Sequence, residues 1–403
     1  MSSAALTEAY ERFHRTGPEW GADQLTNHGP MAVEVLVRRG RAEAVPGWVD
    51  AYIRRLDELP RATGEITDAS WPEALGDGRR IGDWTAYFTR QLAGQPWREV
   101  LATWWPRLLP GIAAGATHGV IRTGHVVRTL LADERNPADE GNPGNERNPG
   151  NEGSAGHQPA LDELAHALAF WAARSRSVPP SPDPAGSLDP LAALDAVPRV
   201  ASQHGNLAAR FGQLTEESGW PASVGRLRPA ATPDQVQARL ADLVAAATLR
   251  YLSHGHGQPV LLVHTATAPN AVLHALPALP ASLWAPSLTA VWAASAAIFA
   301  AYAPPEGTDP GRPDPERTDP GRTDPGRTDP GRTDPGDGAP GPRPTLLAGP
   351  GAVADLLDRA VDHGDEHVIK FTDTAAEAYA RTGQPGTLAA ALRAAALIPS
   401  PRT

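Results

Sequence analysis

The sequence predicts an all-α fold. Apolar residues recur at helical spacing in several long segments, and no regular series of strand-like segments interrupts them. The clearest helical face is formed by Leu288, Val291, Trp292, Phe299 and Tyr302. The same period predicts helices over 161–171, 235–252 and 352–379. The run VLLV at 260–263 is the one segment that is equally compatible with a short strand.

Composition limits the classes of protein. The chain has 403 residues, 41% of them hydrophobic, which is enough for a substantial core, and we predict a single large helical domain over 1–403. A net charge of −10 without an arginine-dense stretch argues against a nucleic-acid-binding protein. Because there is no cysteine, any metal must be held by nitrogen and oxygen ligands.

Two segments of short repeats interrupt the helical pattern. Residues 134–156 repeat a unit containing Asn-Pro, and residues 305–343 carry TDPGR in tandem. Neither has the large apolar residues whose burial would offset the entropy lost on ordering. We predict that both are disordered insertions in loops.

Residues 251–305 contain no Asp, Glu, Lys or Arg and superficially suggest a membrane span. Prolines at 259, 269, 277, 280 and 286 break the segment, and its last helical part is mostly alanine, which contributes little to membrane insertion. We therefore assign it to the interior of a soluble protein. The N-terminal residues lack the apolar core of an export signal, so the expected location is the cytoplasm.

Nucleotide cofactors are not indicated. The glycine cluster GDGRRIG at 76–82 lacks both the Rossmann spacing and a preceding apolar strand. There is no Walker A sequence and no Gly-x-Ser-x-Gly elbow. No site for a flavin or for NADPH can therefore be identified.

Histidines are the better candidates for chemistry. His28 follows Thr26 and Asn27, either of which can cap a helix that begins near Pro30, so His28 is either a turn residue or faces a site at the helix entrance. His118 adjoins a face of glycines, which allow another helix to approach closely. These glycines are Gly111, Gly115 and Gly119.

On the same predicted helix, His118, Arg122 and His125 share one face, and His118 is the better candidate to point inward. His264 ends an apolar run inside the uncharged segment. A buried histidine there needs a hydrogen-bond partner or a metal. His274 is a weaker alternative.

The last group lies in DEHVIKF at 365–371, where His367 and Lys370 are spaced i, i+3 on a predicted helix. His363 precedes them by one turn and makes a competing His-x-x-x-His pair with His367. Asp365 and Glu366 can orient histidine rings by hydrogen bonding to their outer nitrogens.

Lys370 is the only lysine among 36 lysine and arginine residues. Lysine can lose its proton when it is desolvated, whereas arginine cannot. A neutral amine can form a Schiff base, act as a base, or add CO2 to become a carbamate, which is an oxygen ligand for a metal. The alternative is that one lysine survived by chance in a chain biased toward arginine.

Five motifs in this order resemble the questin oxidase-like family: NHGPMA at 27–32, ATHGVIRTGHVVR at 116–128, VHTATAP at 263–269, LPALPASLW at 276–284 and DEHVIKF at 365–371. The resemblance spans nearly the whole chain except the two insertions. It implies a non-haem iron oxygenase of secondary metabolism, related to fungal enzymes that oxidatively open anthraquinone rings, some of them described as Baeyer–Villiger-type oxidases. Its substrates would be dioxygen and an aromatic polyketide or quinone.

Carried onto this chain, the resemblance implies an Fe(II) site held by four histidines and a carboxylated lysine: His28, His118, His264, His367 and Lys370. Arg122 would then either bind a phenolate or a reduced-oxygen anion as a catalytic residue, or pair with an acid. Four tryptophans could line an aromatic pocket beside the metal, although core packing is the simpler role for each: Trp104, Trp105, Trp284 and Trp292. The family's reactions have been written with NADPH as the reductant, for which this chain shows no motif.

Two other functions compete with the oxygenase. One is a zinc or manganese hydrolase that uses His363, His367 and His118, with Glu366 as the base. The other is a helical scaffold without enzymatic activity, whose TDPGR segment binds a partner.

Overall fold

A computed structural model describes residues 2–21, 24–135, 154–308 and 351–401. Within this part the fold is all-α, as predicted. The helices are α1 Ser2–Phe13, α2 Gly29–Arg38, α3 Val45–Tyr52, α4 Trp71–Ala74, α5 Ile81–Gly94, α6 Trp97–Leu108, α7 His118–Arg135, α8 Ser154–Ala173, α9 Pro190–Asp195, α10 Leu207–Glu216, α11 Gly219–Val224, α12 Pro233–His254, α13 Pro259–Leu262, α14 His264–Ala275, α15 Trp284–Tyr302, α16 Ala352–His363, α17 Glu366–Thr382 and α18 Pro385–Leu397.

The described part contains two strands of two residues each, β1 Glu19–Trp20 and β2 Leu25–Thr26, which pair antiparallel just before α2. The ambiguous run 260–263 is therefore not a strand, because its first three residues belong to the short helix α13. Pro259 stands at the first position of that helix, where its missing N–H costs nothing.

The predicted helix over 352–379 is wrong in one respect: it is two helices. Gly364 has a left-handed φ of 81° and ends α16, as a glycine at this position commonly does. Asp365 then caps α17, and its side chain accepts hydrogen bonds from the backbone N–H groups of His367 and Val368.

The predicted insertions lie mostly outside the described residues. The edges of the first are helical, since residues 134 and 135 end α7 and residues 154–156 begin α8, whereas residues 305–308 of the second are described and not helical. The two proposed boundaries at 134 and 156 are therefore each wrong by two or three residues. Disorder of the two repeats stays a prediction.

An apolar cluster that extends from Ala9 to Ile398 forms the core. The segment Ala281–Tyr302, which contains α15, is long and apolar enough to cross a membrane by length and composition alone. However, 67% of its most apolar window is buried inside the protein, as in the core helix of a soluble protein. This agrees with the prediction that the uncharged segment is interior.

Glycines allow α7 and the segment that precedes it to pack closely on neighbouring helices. A Cβ atom at Gly119 would lie 2.7 Å from the Cβ of Trp171 on α8, and Gly111 and Gly115 also face that part of the chain. The expected close approach is therefore present. The first two of these glycines lie outside the helix, however, because α7 begins only at His118.

Candidate metal centre

Four histidines stand at the start of four different helices. His28 immediately precedes α2, and His118 and His264 are the first residues of α7 and α14. His367 is the second residue of α17. All four are buried, with exposed fractions from 0% for His264 to 8% for His118.

Three of the imidazole rings, those of His28, His118 and His367, form one group, and His264 adjoins it through His118. The Nε2 atom of His118 lies 2.6 Å from that of His28 and 2.9 Å from that of His264. The ring centroid of His367 is 4.4 Å from that of His28 and 5.9 Å from that of His264. Nitrogen atoms of His28, His118 and His367 lie within 4.8 Å of one another, so this buried group can hold a metal ion.

The outer ring nitrogens of His118 and His367 face hydrogen-bond acceptors, whereas Nδ1 of His28 and Nδ1 of His264 make no hydrogen bond within the described residues. His118 Nδ1 donates to the backbone carbonyl of Gly115, which leaves the lone pair on its Nε2. His367 Nδ1 lies 3.3 Å from Oδ1 of Asp365, and His28 Nδ1 lies 3.5 Å from Oε1 of Glu366. Metal-binding histidines usually donate their outer N–H to such groups, which holds the inner nitrogen unprotonated. Asp365 is therefore hydrogen-bonded to His367 and Glu366 lies beside His28, and the orienting role of the two carboxylates stays a prediction.

A strained turn immediately before His118 places this histidine in the cluster. Gly115, Ala116 and Thr117 have φ angles of 53°, 57° and 75°. This left-handed conformation is uncommon for alanine and an outlier for a β-branched residue, at a cost of about 1–3 kcal/mol per residue. Strain of this kind persists where the surrounding structure over-determines the backbone, and it is frequent at functional sites.

Lys370 lies one turn after His367 on α17, as the i, i+3 spacing predicts, and it is 1% exposed. Among the described residues, no carboxylate lies within 4.0 Å of its amine. Burial lowers the pKa of Lys370 to about 8, although Glu366 and Asp365 act in the opposite direction. The amine therefore loses its proton far more readily than an exposed lysine would.

Burial also lowers the pKa of three of the histidines well below the ordinary range. Desolvation is the largest cause for His28, His118 and His264, and the positive charge that Lys370 carries when protonated adds to it. The neutral imidazole, which is the form that binds metals, is thus the stable form of each at neutral pH.

The backbone contributes a positive field. Each helix N-terminus carries a partial positive charge, which at α17 is partly offset by the Asp365 carboxylate that caps the first N–H groups. Four such ends meet at the histidine cluster, since each histidine stands at or beside the start of its helix. A divalent cation among neutral imidazoles therefore requires an anionic group close by.

Sequence reasoning missed two residues that support His28. The hydroxyl of Tyr52 accepts a hydrogen bond of 2.7 Å from the His28 backbone N–H. Arg55 Nη2 donates to Oε2 of Glu366 at 2.8 Å, which holds this carboxylate beside His28. No local pattern marks either residue, because both contacts join segments distant in sequence.

Arg122 pairs with an acid, which is one of its two predicted roles. Its Nε and Nη2 donate to the two carboxylate oxygens of Glu163 at 2.5 Å and 2.8 Å, and both side chains are fully buried. The ion pair ties α7 to α8. A catalytic role for Arg122 toward a substrate anion stays a prediction.

The competing histidines lie elsewhere. His363 is on α16, where its Nε2 donates to the carbonyl of Ile398 at 3.0 Å, so the predicted pair with His367 on one helix face is wrong. His125 contacts Glu34 at 2.8 Å, and His274 contacts Glu377 at 2.7 Å. None of these three substitutes for a member of the cluster.

Three of the four tryptophans considered for a substrate pocket are buried in the core, and the fourth, Trp284, is partly buried against it. Trp104 contacts other aromatic rings, among them Trp84 at a centroid distance of 5.5 Å. The indole N–H groups of the other three are hydrogen-bonded away from the cluster. Their acceptors are Ser287 Oγ for Trp105, the Leu279 carbonyl for Trp284 and the Val224 carbonyl for Trp292.

An apolar cavity of about 740 Å³ opens between the segment that precedes α7 and the start of α15. Its wall includes Leu109, Ile112, Val178 and Leu288, several prolines, and none of the four tryptophans or the five site residues. Cavities of this size hold drug-sized ligands. Ile112 stands six residues before His118 in the chain, so the cavity adjoins the loop that carries this histidine.

The chain was compared with protein-family models and with curated proteins. No protein-family model matches the chain, and no curated protein matches it either.

Proposed function

We propose that this protein is a non-haem iron-dependent oxygenase that acts on an aromatic polyketide or quinone-type substrate, as the resemblance to the questin oxidase-like family implies. The observation that carries the proposal is the single lysine. Lys370 is buried beside four converging imidazoles, with no carboxylate within ion-pair distance among the described residues. A protonated lysine would repel a metal ion at that place, whereas a carbamate would bind it.

The donor set fits such an ion. Nitrogen atoms that bind one ion at about 2.1 Å are about 3.0 Å apart at right angles and about 3.4 Å apart in a tetrahedron. The observed spacings of 2.6 Å and 2.9 Å are closer to the right-angled value.

Charge balance also supports the carbamate. Four imidazoles bring no negative charge of their own to a divalent cation, and four helix ends add partial positive charge. The carboxylates of Asp365 and Glu366 lie beside the outer nitrogens of His367 and His28, and Glu366 also accepts a hydrogen bond from Arg55. A carbamate on Lys370 would supply the missing negative charge. Bound Fe(II) would supply the electrons that activate dioxygen toward an aromatic ring.

The protein's own residues would orient the ligands and control protons. Asp365 and Glu366 would hold the outer protons of His367 and His28, and the Gly115 carbonyl would hold that of His118. The apolar cavity beside the loop that leads to His118 is the proposed entrance for an aromatic substrate. Because the chain shows no nicotinamide motif, we propose that a dihydroquinone substrate supplies its own electrons. We place the reaction in the cytoplasm.

The hydrolase alternative loses its original ligand set, since His363 is bonded to the Ile398 carbonyl and lies on a different helix from His367. A zinc enzyme built on the same four histidines is distinguished by metal content. The scaffold alternative rests on the TDPGR segment, which lies outside the described residues.

The test is metal analysis of protein purified without oxygen. We expect one iron per chain in the wild type, and loss of iron in both Lys370→Arg and His264→Ala. His363→Ala is the matched control, because it removes a histidine next to the site that is not part of the cluster. Zinc in the wild type, with unchanged content in Lys370→Arg, would refute the oxygenase.

A further inference from the structure

A second buried polar cluster lies two turns beyond the histidines on the same four helices. We call it the ionic network. Its members are Glu34 on α2, His125 and Arg128 on α7, Asn270 and His274 on α14, and Asp373 and Glu377 on α17. Each helix thus contributes a histidine in or just before its first turn and a network residue six to ten positions later.

Arg128 is the centre of the ionic network. Its Nε donates to Oε1 of Glu34 at 2.9 Å, and its Nη2 also bonds to this carboxylate. Its Nη1 donates to Oδ2 of Asp373 at 2.9 Å and to Oε1 of Glu377 at 3.2 Å. One guanidinium, 6% exposed, therefore joins α7 to both α2 and α17.

Glu377 brings the fourth helix into the network. Its Oε2 accepts hydrogen bonds from Nε2 of His274 at 2.7 Å and from Nδ2 of Asn270 at 3.1 Å, both on α14. Three partly exposed arginines close the outer side of the network. These are Arg38, Arg39 and Arg381, which contact Asp373 or Glu377 at 2.5–3.0 Å.

Buried ion pairs are weak sources of stability, because desolvation of the charges cancels most of their attraction. Apolar residues of similar volume in their place often stabilise a protein equally. What a bidentate guanidinium supplies is a directional constraint. Here the constraint acts on the rotation and axial position of the helices that carry the metal-binding residues. Six to ten residues correspond to about 9–15 Å of helix, short enough for a rigid helix to transmit it.

We propose that the ionic network is a positioning device for the metal centre, with Arg128 as its central positioning residue. By holding α2, α7 and α17 in one register, it keeps the nitrogens of His28, His118 and His367 at metal-binding separation. The inference rests on the metal centre of the proposed function. It assigns no chemical step to the network.

The experiment compares two buried arginines on the same helix. Arg128→Met removes the tie between ligand-bearing helices, whereas Arg122→Met removes the Glu163 ion pair to α8, which carries no ligand. Co²⁺ is the probe, because its visible absorption reports the geometry of its ligands. Affinity is measured by chelator competition, and folding by circular dichroism and urea denaturation.

We expect Arg128→Met to bind Co²⁺ about tenfold or more weakly, as losses of outer support at metal sites do, and to show an altered visible spectrum. Arg122→Met should keep the wild-type Co²⁺ affinity and spectrum even if its urea midpoint falls as far as that of Arg128→Met. Arg128→Lys should recover only part of the affinity, because an ammonium cannot bond Glu34 bidentately.

If Arg128→Met does not fold, Asp373→Asn tests the same idea, since it weakens the link from Arg128 to α17, where the bond to Glu377 remains, and keeps the link to Glu34. Wild-type affinity and spectrum in a folded Arg128→Met or Asp373→Asn would overturn the positioning role and leave the metal centre intact. Absence of Co²⁺ binding in the wild type would instead overturn the metal centre itself, and the positioning role with it.

Discussion

The Nε2 atoms of His118 and His264 lie 2.9 Å apart, although 146 residues separate these histidines in the sequence. Each is the first residue of its helix, α7 or α14, and the two helices pack closely. Gly124 makes the approach possible, because a Cβ atom there would lie 2.5 Å from the Ala271 carbonyl oxygen. The distance between the two nitrogens is thus coupled to a glycine six residues along α7.

Gly124→Ala tests this coupling. The added methyl group must push α14 away, so we expect a loss of about 1–3 kcal/mol in the free energy of unfolding, typical of an overpacked core. We also expect weaker metal binding, because His264 moves with α14. Urea denaturation and metal titration measure the two effects. Gly94→Ala is the control, since nothing lies within 4 Å of a Cβ there. Unchanged metal affinity in a destabilised Gly124→Ala protein would refute the coupling.

The carbamate can be observed directly, because the chain contains one lysine. The protein is equilibrated with ¹³CO2 and with Zn²⁺, a diamagnetic substitute for Fe(II). Its ¹³C NMR spectrum should then show one lysine-carbamate resonance. Burial lowers the pKa of Lys370 to about 8, so a useful fraction of the amine is neutral and reactive near pH 8.

The same spectrum of Lys370→Arg is the control for a carbamate on the N-terminal amine. A resonance that persists unchanged in Lys370→Arg, or none in the wild type, would contradict the proposed ligand. Loss of the resonance together with loss of the metal would support it.

Acid should destabilise the metal-free protein before its carboxylates titrate. Burial lowers the pKa of His28, His118 and His264 below 6.5, so below that pH the unfolded chain binds protons that the folded protein does not. Stability is therefore retained above pH 6.5 and lost as the pH falls, by about 1.4 kcal/mol per pH unit for each histidine.

Urea denaturation in the presence of a chelator at pH 6.5 and 5.5 measures this loss. His264→Gln should lose about 1 kcal/mol less than the wild type over that interval, because one of the three histidines is gone and an unfolded histidine is already half protonated at pH 6.5. Equal pH dependence of the two proteins would mean that His264 is not held neutral in the folded state.

Metal binding should stabilise the fold. A ligand that binds only the folded state at 100 times its dissociation constant adds about 2.7 kcal/mol to the free energy of unfolding. We expect the thermal midpoint of the wild type to rise with added Fe(II) or Co²⁺ under anaerobic conditions. His264→Ala should show no rise, whereas His363→Ala should respond like the wild type. A rise that survives in His264→Ala would place the metal elsewhere.

The spacing of apolar residues predicted most of the helices correctly, because residues three and four positions apart form the apolar face of a helix. The segments 161–171, 235–252 and 288–302 all lie in helices that bury that face. The errors fall where one residue ends or starts a helix. Gly364 divides the predicted 352–379 helix, and the left-handed turn before His118 delays α7 by several residues.

The candidate site divides in the same way. Its residues stood out by type, as buried polar groups in apolar surroundings and a solitary lysine. The partners that orient them did not, since Tyr52, Arg55 and Arg128 act through contacts between distant segments. The sequence also did not separate tryptophans of the core from tryptophans of a pocket, and core packing, the simpler role considered for them, is the one that the buried Trp104, Trp105 and Trp292 have.

By itself the sequence determined the chemistry that is available: helices, no thiolate, histidine nitrogens, and one amine able to lose its proton. Only the tertiary structure decided that four helix starts meet at one point and that Arg122 and His363 are bonded elsewhere. The reason is physical. Helical periodicity is a local property of neighbouring turns, whereas the convergence of rings depends on close helix contacts such as Gly124 against Ala271 and on buried ion pairs between segments far apart in the chain.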